Sequence, residues 1–166
     1  SGIGPTAFDQ KVTALDYDGP TSIPHGHTVT VLAEDGEFGP AYTTQIDGFA
    51  IRGATRFNGE GAGIYAHAYT RYLQISNNLV QSNAGVHGGG IRLGLPYTTN
   101  PDAGGALDAE NDSVRIHHNR ILNNGGVLLA GGVALFNGAE NYEIDDNVIC
   151  GNYSAEYGGG ISNFGY

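Results

Sequence analysis

The chain has 166 residues, a formal net charge of −10, a pI near 4.7, 28 glycines, one cysteine and Lys11 as its single lysine. So acidic a balance, with no basic patch, argues against nucleic acid or an anionic membrane surface as partner. No apolar run is long enough to span a bilayer, and Cys150 by itself cannot close an intramolecular disulfide, so the fold must rest on its core and its hydrogen bonds.

Residues 1–45 are irregular. Lys11–Leu15 and His27–Leu32 read as strands, broken by turns at Asp18-Gly19-Pro20, Asp35-Gly36 and Gly39-Pro40. They fit either an earlier, divergent unit or a cap. His25-Gly26-His27 sets two imidazoles on one side of a strand without an evident third ligand, which reads as a turn more than a metal site.

From residue 46 to 166 the chain repeats itself. Ala62-Gly63-Ile64, Gly89-Gly90-Ile91, Gly131-Gly132-Val133 and Gly159-Gly160-Ile161 recur with separations of 27, 42 and 28 residues between their aliphatic positions. The long interval is one 28-residue period carrying a 14-residue insertion, placed at residues 95–112. A period of this size marks a solenoid, because one unit cannot bury its own apolar face. Short alternations such as Leu73-x-Ile75 and Ile91-x-Leu93 have the period of strands. No helical stripe runs over three turns, and each glycine would cost a helix interior about 1 kcal/mol. Every unit is therefore one coil of β-structure.

Upstream of each tripeptide lies a second signature: Ile75-x-x-Asn78-x-Val80-x-x-Asn83, Ile116-x-x-Asn119-x-Ile121-x-x-Asn124 and Ile144-x-x-Asn147-x-Ile149-x-x-Asn152. The chain is expected to turn at these asparagines, since Asn tolerates the left-handed conformation. Stacked coils would set Asn78, Asn119 and Asn147 roughly 4.8 Å apart, and Asn83, Asn124 and Asn152 likewise. Each amide can then donate to one rung and accept from another. Cys150 shares a column with Gln81 and Leu122 and points outward.

These N-x-I-x-x-N turns and G-G-G-I strand entries resemble the right-handed parallel β-helix, or pectin-lyase-like, repeat proteins, over Asp47 to Tyr166. Ile46–Ile51 followed by Gly61–Tyr65 looks like the opening coil of long secreted bacterial β-helix proteins. The resemblance implies an all-β, single-stranded right-handed parallel β-helix solenoid of about four coils, at an extracellular or cell-surface address. The handedness rests on the resemblance and on the right-handed crossover rule for parallel strands. The last coil reaches Ile161 and the chain stops at Tyr166. The expectation is that further coils of the same longer chain, or a stacking protein partner, cover that edge.

Aligning Ile75, Ile116 and Ile144 stacks Ser76, His117 and Asp145 in the next column, then Asn77, His118 and Asp146, with Gln74, Arg115 and Glu143 on the other side. An ion pair between Arg115 and Glu143 and a contact between His117 and Asp145 are expected. Arg92, Arg115, His117 and Asp145 are the candidate glycan-binding residues, and the bland alternative is a solvated polar ladder beside a turn. The Asn-Thr-Asp and Gly-His-Gly motifs of polygalacturonase-like hydrolases do not occur, nor does the acidic cluster with a basic triad of calcium-dependent pectate lyases. Gly85–Gly90 lacks the Lys-Ser/Thr of a phosphate loop. No cofactor is expected: calcium would suit an acidic extracellular protein, but Asp35, Glu37, Asp108, Glu110 and Asp112 do not follow a calcium-loop spacing. The primary expectation is a structural, adhesive or assembly module without catalytic activity. The alternative is a carbohydrate-active β-helix that binds or cleaves polysaccharide through a site incomplete in this stretch.

Overall fold

A computed structural model describes residues 26–55, 61–95 and 108–164. The strands are short because each is one side of a coil. Coil one contributes β2 (Gln45–Asp47), β3 (Ala50–Ile51) and β4 (Ile64–Ala66), preceded by β1 (Val29–Val31). Coil two runs through β5 (Gln74–Ser76), β6 (Leu79–Gln81), β7 (Ala84–Gly85) and β8 (Ile91–Leu93). Coil three repeats this with β9 (Arg115–His117), β10 (Arg120–Leu122), β11 (Gly125–Gly126) and β12 (Val133–Phe136). Coil four does so with β13 (Glu143–Asp145), β14 (Val148–Cys150), β15 (Tyr153–Ser154) and β16 (Ile161–Phe164).

Coil one touches the third of four parallel sheets only through a Thr55–Ala84 bridge, and coils two to four visit all four sheets in the same order. The sheets are β2-β5-β9-β13, β3-β6-β10-β14, β7-β11-β15 and β1-β4-β8-β12-β16, here the first to fourth sheets. This is an all-β parallel solenoid of about four coils. β1 pairs in register with β4, so Val29–Val31 belongs to an earlier coil. Lys11–Leu15 and His25 lie outside the described residues.

The register makes columns of like residues. Ile46, Ile75, Ile116 and Ile144 stack in the first sheet, Ile51, Val80, Ile121 and Ile149 in the second, and Ile64, Ile91, Val133 and Ile161 in the fourth. All but Ile161 join one core inside the coil. Burying each such side chain stabilises by roughly 1.5–3 kcal/mol. In coil four, Ile144 and Ile149 are only half-buried and Ile161 is exposed.

The glycine-glycine-aliphatic tripeptides have a steric cause. A Cβ built on Gly90 would fall onto the Gly132 carbonyl oxygen, and one on Gly132 onto the Gly160 carbonyl oxygen. Adjacent coils approach there too closely for any side chain.

The ladder asparagines do not themselves take the left-handed turns expected of them. The residues in left-handed conformation at the two corners are Gly48, Asn77, His118 and Asp146, and Gly53, Ser82, Asn123 and Gly151. Each precedes a ladder position instead of occupying it. The left-handed residue interrupts the alternation of side chains, so the asparagine after it turns under the corner, where its amide reaches the neighbouring coils. The insertion is also shorter than residues 95–112. Ala109 accepts from Tyr69 N at 2.8 Å and Asp112 from Tyr72 N at 2.9 Å through their carbonyls, so residues 109–112 already lie in register.

Candidate functional site

Two faces of the solenoid differ in chemistry. The first sheet alternates, with isoleucines inward and polar residues outward in two columns: Gln45, Gln74, Arg115 and Glu143, and Asp47, Ser76, His117 and Asp145. The corner residues Asn77, His118 and Asp146 extend this stripe by a third column. On the fourth sheet the outward residues Tyr65, Arg92 and Ala134 are fully buried. That face packs a satellite cluster of Leu129, Ala130, Ala134 and Phe136 outside the coil.

The stripe of the first sheet is bonded within itself. Ser76 Oγ donates to Asp47 Oδ1 at 2.6 Å and Asn77 Nδ2 to the same oxygen at 2.7 Å, and these bonds hold the Asp47 carboxyl below its usual range. Arg115 grips Asp145 with two bonds, Nε to Oδ1 at 3.0 Å and Nη2 to Oδ2 at 2.7 Å. Its Nε also lies 3.3 Å from Glu143 Oε2. The pair shifts both partners, Asp145 down and Arg115 up. The expected ion pair with Glu143 is present, but Asp145 takes the stronger, two-pronged contact. His117 stacks over Asp145 in register while its Nδ1 meets His118 Nδ1 at 2.9 Å. His118 Nε2 faces Asp146 Oδ2 at 3.8 Å.

Arg115, His117 and Asp145 thus come together, and Arg92 does not join them. Arg92 lies on the fourth sheet with its guanidinium 4.2 Å over the Tyr65 ring. His27 stacks on that ring at 4.4 Å between centroids, and the Tyr65 hydroxyl bonds His67 Nδ1. Burial, aided by the Arg92 charge, lowers the His67 pKa to about 4, so the ring is neutral at physiological pH.

A further charged cluster escaped the reading of the sequence. Arg71 binds Asp35 at 3.1 Å, Glu110, and Asp112 at 3.9 Å. Next to it Glu140 is raised above its usual pKa, first by its hydrogen bond with Asp112 and then by burial and the Asp108 charge. Asn111, shortly before β9, accepts from Thr70 N at 3.1 Å and from Thr70 Oγ1 at 2.7 Å, and donates to His67 O at 3.1 Å. The signal was available: the 41-residue offset that aligns Asn78 with Asn119 also sets Thr70 over Asn111 and Arg71 over Asp112.

Chemically, the first-sheet stripe offers donors and acceptors at strand spacing to a hydroxyl-rich ligand. Hydrolytic glycosidases need one carboxyl kept protonated beside an ionised one. Here the Arg115 guanidinium holds Asp145 ionised and also contacts Glu143. Among the described residues no three His, Cys, Asp or Glu side chains converge as a metal cage, and no helix is long and apolar enough to cross a membrane. The chain matches no protein-family model, no curated protein and no solved structure.

Proposed function

We propose that the chain is a rigid extracellular β-helix module serving display, spacing or adhesion at a cell surface. The carrying observation is the pair of asparagine ladders. In each, an amide donates across coils to the next, from Asn78 to Asn119 to Asn147 and from Asn83 to Asn124 to Asn152, at 3.0–3.1 Å. Such ladders couple coils along the whole axis and resist bending of the rod. Arg71 and Arg115 add clamps on the outside. The resemblance to pectin-lyase-like repeat proteins and the high negative charge support an address outside the cell. On this reading further coils of the same chain, or a stacking protein partner, lay parallel strands along the edge of coil four, where Val148, Tyr153, Ile161 and Phe164 are exposed.

The test is surface labelling in the native source. A membrane-impermeant reagent and protease shaving should both reach the protein on intact cells, and labelling obtained only after lysis would end this reading.

The polar stripe from Asp47 to Asp146 favours a second reading, polysaccharide binding along the first sheet. It predicts retention on a glycan panel that Arg115→Ala or Asp145→Asn abolishes. Equal retention of both variants would remove it.

A further inference from the structure

His118 breaks the alternation of β9. Its backbone is left-handed, with φ 56°, so its side chain is delivered to the same outer side as that of His117, where an extended residue would face the other way. The two rings stand at 87° with centroids 5.1 Å apart, and the Nδ1 atoms confront each other at 2.9 Å. Two imidazole nitrogens bound to one metal at about 2.0–2.1 Å lie roughly 2.9 Å apart when they subtend a right angle, and about 3.3 Å apart in a tetrahedron. The observed spacing is that of two adjacent ligands in a square arrangement.

The charge beside the rings has the sign a cation needs. Asp146 Oδ2 lies 3.8 Å from His118 Nε2, too far for a hydrogen bond but close enough to add negative charge behind the distal nitrogen. Whichever Nδ1 carries the proton of the ring-to-ring contact returns it to the Nε2 of its own ring when a metal takes both Nδ1 lone pairs. The surrounding charge favours a cation: Arg115 is engaged by Asp145 and Glu143, and Asp47, Asp145 and Asp146 share the stripe. His118 is more than half exposed, so water can complete the shell.

We propose that His117 and His118 form a two-nitrogen chelate for a divalent transition metal, copper(II) first and zinc after it. Copper heads the affinity order for such donors and prefers the square geometry. The neighbouring coils carry Asp47-Gly48, Ser76-Asn77 and Asp145-Asp146 at the same two positions, so the pair of imidazoles is confined to coil three among the described residues.

Those coils also supply substitutions that the fold accepts. The whole chain is titrated with copper(II) at pH 7.4 in a non-coordinating buffer and followed by electron paramagnetic resonance. One equivalent should bind with the hyperfine pattern of two nitrogens. His117→Ser and His118→Asn, which copy Ser76 and Asn77, should each weaken that equivalent at least tenfold and erase the pattern while leaving the circular dichroism spectrum unchanged. Asp146→Asn should weaken it about threefold. Wild-type binding in either histidine variant would overturn the proposal and place the copper elsewhere, such as on His25 and His27. Should a variant fail to fold, zinc-induced NMR shifts in the wild-type chain decide: they must fall on the rings of His117 and His118, and shifts confined to other histidines overturn it.

Discussion

Asn119 Nδ2 donates to Asn147 Oδ1 at 3.0 Å across 28 residues of sequence. The same Asn119 donates to Ile75 O at 2.8 Å, and its Oδ1 accepts from Asn78 N at 2.9 Å and Asn78 Nδ2 at 3.0 Å. One amide thereby ties three coils together. Every polar atom of it has a partner, which is what makes its burial tolerable.

Removing that amide should be costly. Asn119→Ala takes the acceptor from the buried Asn78 N–H and Nδ2 and one donor from the Ile75 carbonyl, at about 1–3 kcal/mol for each group left short. We expect a loss of roughly 3–5 kcal/mol in urea unfolding. Asn147→Ala, at a half-buried rung, should cost clearly less, and equal losses would contradict the ladder account.

Coil packing predicts a second effect. Gly132→Ala places a methyl against the Gly160 carbonyl, and overpacking of this kind costs about 1–3 kcal/mol. The melting temperature should fall, whereas Gly39→Ala, where a Cβ meets open space, should leave it almost unchanged.

His67 sets a dependence on acid. Its folded pKa of about 4 lies below the unfolded value of 6.5, so the unfolded chain takes up a proton first as pH falls. The stability it contributes is complete above pH 6.5 and is lost progressively down to about pH 4. The loss amounts to about 3 kcal/mol. In His67→Gln the unfolding free energy should decline less steeply over that interval, and an unchanged slope would refute the assignment.

Glu140 acts in the opposite sense. Its folded pKa is raised, so the ionised carboxylate beside Asp112 and Asp108 destabilises the fold, and the penalty disappears as pH falls through its folded value. Glu140→Gln should therefore melt higher than wild type at pH 7, and the gain should vanish in acid. A gain that persists below pH 4 would show that charge is not its cause.

The sequence by itself determined the period, the columns and the ladders. A repeat that keeps every spacing leaves one register in which apolar residues face inward on each coil, and that register brings Ile75 over Ile116 and Asn119 over Asn147. It also brought Arg115, His117 and Asp145 to one face. Tertiary structure decided what the columns do. Arg115 is long enough to choose between two carboxylates in the coil beyond and takes Asp145 with two bonds. Arg92 belongs to a strand with the same alternation as its neighbours, yet its outer face is covered. The left-handed residue sits one place before each ladder asparagine, because the corner must close before the amide can turn beneath it. Periodicity fixes which residues are neighbours; the reach of long side chains and the packing of segments outside the repeat fix whether those neighbours meet.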